Sequence, residues 1–68
     1  MSTQSGGPGK QEILIEFVVQ GSVVKATAID PVTGTEASIV GPTNAGREAL
    51  MEAARRKLDY VLKKNSGA

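Results

Sequence analysis

The chain of 68 residues contains no cysteine and no histidine. It therefore has neither disulfides nor thiolate metal ligands, and it lacks the commonest general base and the commonest metal ligand. Only carboxylates remain as metal ligands, and they are scattered singly along the sequence. No nucleophile has a base beside it, and no pair of titratable groups is placed to share a pocket. The sequence predicts no cofactor, no metal site, no catalytic residue and no enzymatic activity.

Long apolar runs are also missing. No stretch approaches the roughly 18 residues of a membrane span, and the N-terminus shows no basic-then-apolar signal pattern. We therefore expect a cytoplasmic protein that does not contact membranes. A chain this short buries only about 60% of its unfolded surface and usually gains stability from disulfides, a metal or a partner chain. Because the first two are excluded, the sequence indicates a partner chain.

Charge is nearly balanced overall, with a formal net charge of +1. A value this small argues against binding driven by a strong electrostatic field. The distribution is uneven, because residues 1–42 carry two lysines against four acidic residues and residues 43–68 carry six basic against three acidic ones. The positive excess therefore lies on the C-terminal segment.

The order of polar and apolar residues predicts one domain over residues 11–64. Residues 1–10 are polar and glycine-rich, and we expect a disordered tail there and a second one over residues 65–68. Within the domain the hydrophobic period changes from 2 to 3.6. This pattern predicts an α+β fold, a three-stranded antiparallel β-meander followed by one long helix packed on one sheet face (β-β-β-α). The predicted strands cover residues 11–19, 22–29 and 35–40, and the helix covers residues 45 to about 64.

The first hairpin is predicted to turn at Gln20-Gly21, with glycine supplying a positive φ. In this register one face becomes continuously apolar and the other gains an opposite-charge pair. The predicted pairs are Phe17 with Val24, Ile15 with Ala26, Ile13 with Ala28, and Glu16 with Lys25.

The remaining connections also have recognisable turn chemistry. Asp30–Gly34 is predicted to form the second turn, because proline presets φ and the aspartate side chain can accept bonds from turn amides. Gly41-Pro42 ends the third strand, and Thr43 or Asn44 is expected to cap the helix. The helix should lie over alanines at the sheet centre, with Phe17 as the anchor of the core.

The segment from Ala28 to Pro42 carries a family resemblance. Its Asp-Pro-Val-Thr-Gly-Thr-Glu and Ile-Val-Gly-Pro stretches, followed by an alanine-rich helix with Leu58 and Tyr60-Val61-Leu62, resemble a family of short alphaproteobacterial proteins of unknown function. The resemblance covers roughly residues 12–64. It implies the same layout and a homodimer, and it carries no catalytic residue across because the family has no established activity.

The sheet face away from the helix is the first candidate site. Five apolar residues on one uncovered face make a patch that suggests self-association, through stacked sheets or through elements exchanged about hinges at Gly21 or Gly41-Pro42. The alternative is a half-wet antiparallel face that tolerates β-branched residues among polar ones. The predicted dimer face consists of Leu14, Val18, Val23, Ile29 and Val40.

Two loops are further candidates. The amides at the start of the helix could bind an anion beside Thr43, Asn44 and Arg47, although the same residues also serve to break the strand and cap the helix. The Asp30–Gly34 loop could be a recognition tip, but each of its residues also has a turn-forming role.

Nucleic acid is the alternative partner. A β-β-β-α unit with a basic helix looks like the C-terminal half of a double-stranded-RNA-binding domain, although only Arg47 stands where that fold has a lysine cluster. Phosphate contacts would come from Arg55, Arg56, Lys63 and Lys64. These residues could equally form a solvated face paired with neighbouring carboxylates. The sequence therefore favours a non-enzymatic homodimeric interaction or accessory protein, and the alternative is a nucleic-acid-binding module that uses the helix.

Overall fold

Three strands and one helix make up the structure, a computed structural model that describes residues 12–65. The elements in chain order are β1 (Leu14–Gln20), β2 (Val23–Ile29), β3 (Glu36–Pro42), a single 3-10 turn (Thr43–Ala45) and α1 (Arg47–Asn65). The strands form one antiparallel sheet in the order β1-β2-β3. The predicted β-β-β-α fold is therefore confirmed. Residues 1–10 of the predicted N-terminal tail lie outside the described residues, as do residues 66–68, whereas Asn65 is the last residue of α1.

The β1–β2 register differs from the predicted one by two residues. Gln20 pairs with Val23, so the two-residue loop is Gly21-Ser22 and not Gln20-Gly21. The reason is the turn geometry: Gly21 has a φ of 62°, and the first central position of a tight hairpin turn needs a positive φ that glycine adopts without strain. A shift of two keeps every side chain on its predicted face.

The shift does change the cross-strand neighbours. The predicted pairing of Glu16 with Lys25 is wrong, because Glu16 lies opposite Thr27 and Lys25 lies opposite Val18. Likewise Phe17 lies opposite Ala26 rather than its predicted partner. The expected charge pair therefore does not hold this hairpin together by direct opposition.

The start of the helix also differs from the prediction. Thr43–Ala45 form the 3-10 turn, which has no side-chain cap, and α1 begins at Arg47. The first helical hydrogen bond runs from the Leu50 N–H to the Gly46 carbonyl at 3.3 Å. Because β3 continues through Gly41-Pro42, two residues beyond its predicted end, the helix starts later than expected.

The core is small and lies between α1 and the sheet. Among the described residues seven apolar ones are buried, and four of them are alanines: Val24, Ala26, Ala28, Ala37, Leu50, Ala54 and Leu58. Leu58, only 1% exposed, is the largest fully buried side chain. Phe17, the predicted anchor, is only partly buried at the edge of this cluster. The core is small because the side chains at the sheet centre are alanines, which allow the helix backbone to approach the sheet closely.

The helix does not cover the sheet evenly. It packs on β3 and β2, and β1 lies beyond its flank. The helix-facing side chains of β1 are therefore only partly covered, and Val19, on the same side of the strand, is 65% exposed. One helix about 10 Å wide covers roughly two strands at a spacing of about 4.8 Å, so the third strand is left partly open.

Candidate interaction surfaces

The five residues of the predicted dimer face do share the sheet face opposite α1. Four of them are exposed: Leu14 at 51%, Val18 at 45%, Val23 at 38% and Val40 at 63%. The fifth, Ile29, is half-buried. Their placement on one face follows from the alternation of side chains along each strand.

Cross-strand rows divide that face. The row Glu16, Thr27 and Ser38 crosses the middle of the sheet, and the hydroxyls of Thr27 and Ser38 hydrogen-bond at 2.8 Å. Leu14 and Ile29 lie on one side of this polar row. The three valines lie on the other side, with the Lys25 side chain between two of them. The five residues therefore form two small apolar groups rather than one patch.

A second apolar surface lies along the flank of α1, where β1 is uncovered. Ile13, Ile15 and Phe17 pack only partly against the core. Beside them runs a groove of about 720 Å³ with an apolar floor of Ile13, Met51, Leu58 and Leu62 and a rim of charged helix residues. The sequence pattern does not predict this surface, because periodicity assigns a residue to a face but does not say how far across the sheet the helix lies.

Two backbone hydrogen bonds show which residues of β2 bond to β3 and which bond to β1. The Thr43 N–H donates to the Ser22 carbonyl at 3.1 Å, and the Asp30 N–H donates to the Thr35 carbonyl at 2.9 Å. Both bonds continue the β2–β3 register. Bonded and non-bonded pairs alternate in an antiparallel ladder. Even-numbered residues of β2 therefore bond to β3, and its odd-numbered residues bond to β1.

It follows which backbone groups point away from the sheet at each edge. In β3 the outward groups belong to Glu36, Ser38, Val40 and Pro42. In β1 they belong to Ile15, Phe17 and Val19. Such unpaired N–H and C=O groups are a template for another strand unless the edge is protected.

The β3 edge is protected. The ammonium of Lys57 on α1 donates a hydrogen bond to the outward carbonyl of Ser38 at 2.8 Å. Pro42, at another outward position, has no N–H to offer. Glu36 adds an exposed charge at the start of the strand. Lysine, proline and charge are the usual means of blocking an edge strand.

Of these features, the β1 strand has only an exposed charge. Its sequence, LIEFVVQ, contains no lysine, proline or glycine, and Glu16 is its one charged residue. Its seven residues pair with β2 in unbroken register, without a bulge. Within residues 12–65, this edge is therefore open, regular and largely apolar.

The residues of the predicted anion site lie between the end of β3 and the first turn of α1. Thr43 and Asn44 lie exposed in the 3-10 turn, and Arg47 occupies the first turn of α1. The Arg47 guanidinium carbon lies 5.3 Å from the centroid of the Phe17 ring. A cation over an aromatic face is a favourable contact, so Arg47 already has a structural role on the sheet.

The basic residues of α1 are largely engaged within the chain. Arg56 pairs with Glu52 and Lys63 pairs with Asp59, each at 3.3 Å. The Lys64 ammonium lies 5.8 Å from the ring centroid of Tyr60. Arg55 is exposed at the rim of the groove. The four residues predicted to touch phosphate therefore have two acidic residues, Glu52 and Asp59, interspersed among them along the helix.

The Asp30–Gly34 loop has a clear structural role. The Asp30 carboxylate is 1% exposed. Its Oδ1 accepts a hydrogen bond from the Val32 N–H at 2.9 Å, and its Oδ2 accepts one from Thr33 Oγ1 at 3.2 Å. These contacts explain the turn without a ligand. Across residues 12–65, no three acidic side chains come together as a metal site.

In the part of the chain that the structure describes, no helix combines the length and apolarity needed to cross a bilayer.

Comparison with known proteins places the chain in a family. Residues 10–65 match the family model described as a domain of unknown function, DUF6898, and the chain belongs to this family. No curated protein matches the chain. No solved structure matches it either.

Proposed function

We propose that this member of a family without known function is a non-enzymatic interaction or accessory protein that works as a homodimer. The observation that carries the proposal is the size of the core. It consists of seven apolar residues, four of them alanines, and no disulfide supplements it because the chain has no cysteine. Domains with so little buried apolar surface usually obtain more by association.

The exposed apolar side chains support the same proposal. Five large ones lie on the sheet and are between 38% and 65% exposed: Leu14, Val18, Val19, Val23 and Val40. Four of them lie in small groups on the face away from α1 and Val19 lies on the helix-facing side, so apolar surface that a partner could cover is exposed on both sides of the sheet.

The nucleic-acid alternative gains no specific support. Two acidic residues, Glu52 and Asp59, lie among the basic residues of α1, and they form ion pairs with Arg56 and Lys63. Exposed pairs of this type contribute little to stability, but they reduce the positive potential that a phosphate backbone would meet.

Sedimentation equilibrium of the full chain at low and high salt tests the proposal. A dimer held by apolar surface and backbone bonds persists at high salt, whereas phosphate binding weakens steeply as salt rises. Each condition is repeated with a mixed pool of short RNA and DNA. A salt-resistant dimer that ignores the pool is expected. A monomer whose mass changes only with nucleic acid at low salt would contradict the proposal.

A charge-reversal variant separates the two functions. Arg55→Glu combined with Arg56→Glu removes adjacent cations from the exposed face of α1. We expect the variant to dimerise as the wild type does. If the wild type binds the nucleic-acid pool and the variant does not, the helix is the binding surface and the alternative function is correct.

A further inference from the structure

The two edges of the sheet differ in a way that points to the position of the dimer contact. The β3 edge is blocked by Lys57 and Pro42, whereas the β1 edge presents the backbone groups of Ile15, Phe17 and Val19 without a comparable feature in its sequence. Open apolar edges are rare in stable proteins because they recruit other strands. The β1 edge is therefore the surface most in need of a partner.

We infer that two copies of this chain join by antiparallel pairing of their β1 strands, with Phe17 opposite the same residue of the second copy. This inference rests on the proposed homodimer and gives it a location. A two-fold axis normal to the sheet would produce one continuous six-stranded sheet with both helices on the same face.

The register follows from the position of Phe17 in the strand. Phe17 is the midpoint of Leu14–Gln20, so centring the two-fold axis there overlaps both strands completely. The outward-pointing N–H and C=O groups of one strand then lie opposite those of the other. Ile15 pairs with Val19 of the second copy, and Phe17 pairs with Phe17 of the second copy. About six backbone hydrogen bonds would form, two for each outward residue of one strand.

Neighbouring registers are worse. Centring on Glu16 would place two carboxylates directly opposite each other, which is destabilising across strands. Centring on Val18 would place Ile15 opposite the loop residue Gly21 of the second copy and would lose part of the overlap. In the Phe17 register each Glu16 faces Val18, so no two strand residues of like charge are directly opposed.

Side-chain burial supports a second copy as the partner. In this register Val19, the most exposed apolar residue of the helix-facing side at 65%, lies opposite Ile15 and diagonal to Ile13 of the other copy. Ile13 forms part of the floor of the groove beside α1. The partner therefore supplies an apolar side chain beside Ile13, which lines the groove, and the exchange is reciprocal as an isologous interface requires.

The chain's own N-terminal segment is a poorer occupant. Residues 1–11 contain Met1 and Pro8 as their only side chains of appreciable apolar size. A segment of this composition cannot cover the row formed by Ile15, Phe17 and Val19. A second β1 strand, with five apolar residues in seven, can.

Matched proline variants test the edge. Val19→Pro and Val40→Pro replace valines of nearly equal exposure, 65% and 63%, at outward positions on the two edges. Neither removes an N–H used inside the sheet, and proline is tolerated at such positions. Because each Val19→Pro dimer loses two backbone bonds, we expect sedimentation equilibrium to show at least about tenfold weaker association. Val40→Pro should associate as the wild type does.

Circular dichroism confirms that each variant folds, and Val19→Lys replaces Val19→Pro if the proline variant does not. A wild-type monomer would overturn the proposed function and the edge pairing together. A wild-type dimer that Val40→Pro weakens and Val19→Pro leaves intact would overturn the edge pairing alone.

Disulfide trapping tests the register independently. Because the chain has no cysteine, only introduced thiols can react. In the Phe17 register, Glu16 lies opposite Val18 of the second copy, with Cα atoms about 4.5 Å apart, within disulfide range. The double variant Glu16→Cys/Val18→Cys should form a covalent dimer on mild oxidation.

The control is Ser38→Cys/Val40→Cys, the equivalent pair on the same sheet face of β3, which should stay monomeric on denaturing gels. Cross-linking of the control with none in the β1 variant would overturn the inference, as would equal cross-linking of both, the result expected for stacked outer faces.

Discussion

Gly41 of β3 lies directly under Leu50 of α1. A β-carbon added to Gly41 would be 2.6 Å from Cδ2 of Leu50, a separation that non-bonded carbon atoms do not adopt. Leu50 is 6% exposed and belongs to the core. The absence of a side chain at position 41 therefore leaves room for the Leu50 side chain to pack on β3.

Gly41→Ala should lower the free energy of unfolding by about 1–3 kcal/mol, the usual cost of overpacking a core. Urea denaturation at one fixed protein concentration measures the change, since the stability of a dimer depends on concentration. A double-mutant cycle with Leu50→Ala shows whether contact with Leu50 causes the loss of stability. If the clash with Leu50 is responsible, the double variant loses less stability than the two single losses added together. Additive losses would show that Gly41 matters for another reason.

Asp30→Ala should destabilise the protein by about 2 kcal/mol, because it leaves the turn without its charged acceptor. The Val32 N–H and the Thr33 hydroxyl would both lose their hydrogen bonds to the buried carboxylate. Asp30→Asn retains an acceptor oxygen and should lose less. Glu36→Ala, at an exposed position nearby, is the control and should stay within about 0.5 kcal/mol. Thermal melts of the three variants test this order, and equal melting temperatures would contradict it.

Leu58→Ala should cost about 3 kcal/mol, a large part of the stability available to so small a domain. Leu62→Ala makes the same chemical change one turn later in α1. Leu62 is only partly buried, whereas Leu58 is 1% exposed, so the control should cost less than half as much. Urea midpoints at constant m-value decide the comparison. A larger effect at Leu62 would mean that the centre of the core has been placed wrongly.

Lys57→Met should unblock the β3 edge with little effect on folding. The substitution keeps an apolar stem of similar length but removes the ammonium that bonds to the Ser38 carbonyl. We expect a stability change below about 1 kcal/mol and a new tendency to form species larger than dimers. Lys64→Met, on the same helix but near Tyr60, should not associate further. Sedimentation velocity over several concentrations distinguishes the two variants. Identical profiles would show that Lys57 does not guard the edge.

Much of the fold could be predicted from the sequence, because the period of apolar residues is a local property. The alternation before Gly21 and the helical stripe through Leu50 and Leu58 assign faces correctly. The register was wrong by two residues because both positions of the loop were compatible with the face pattern. Only the requirement for a positive φ at the first central position selects Gly21-Ser22.

The interaction surface was harder to predict, because it depends on where the helix lies across the sheet. Val19 has the correct parity for the core and is nevertheless exposed, since α1 covers β2 and β3. The sequence does contain a signal for the open β1 edge, because the strand has seven residues, is mostly apolar and carries a single charge. The homodimer, the cytoplasmic location and the bacterial class of the family stay predictions.

Amide hydrogen exchange of the wild-type protein, resolved by residue, tests the β1–β1 dimer most directly. The amides of Ile15, Phe17 and Val19 point out of the isolated sheet, as do those of Ser38 and Val40 at the other edge. At protein concentrations where the mass is that of a dimer, the three β1 amides should become protected. The two β3 amides should still exchange rapidly. Rapid exchange of the Phe17 amide in a fully dimeric sample would contradict the pairing of the two β1 strands.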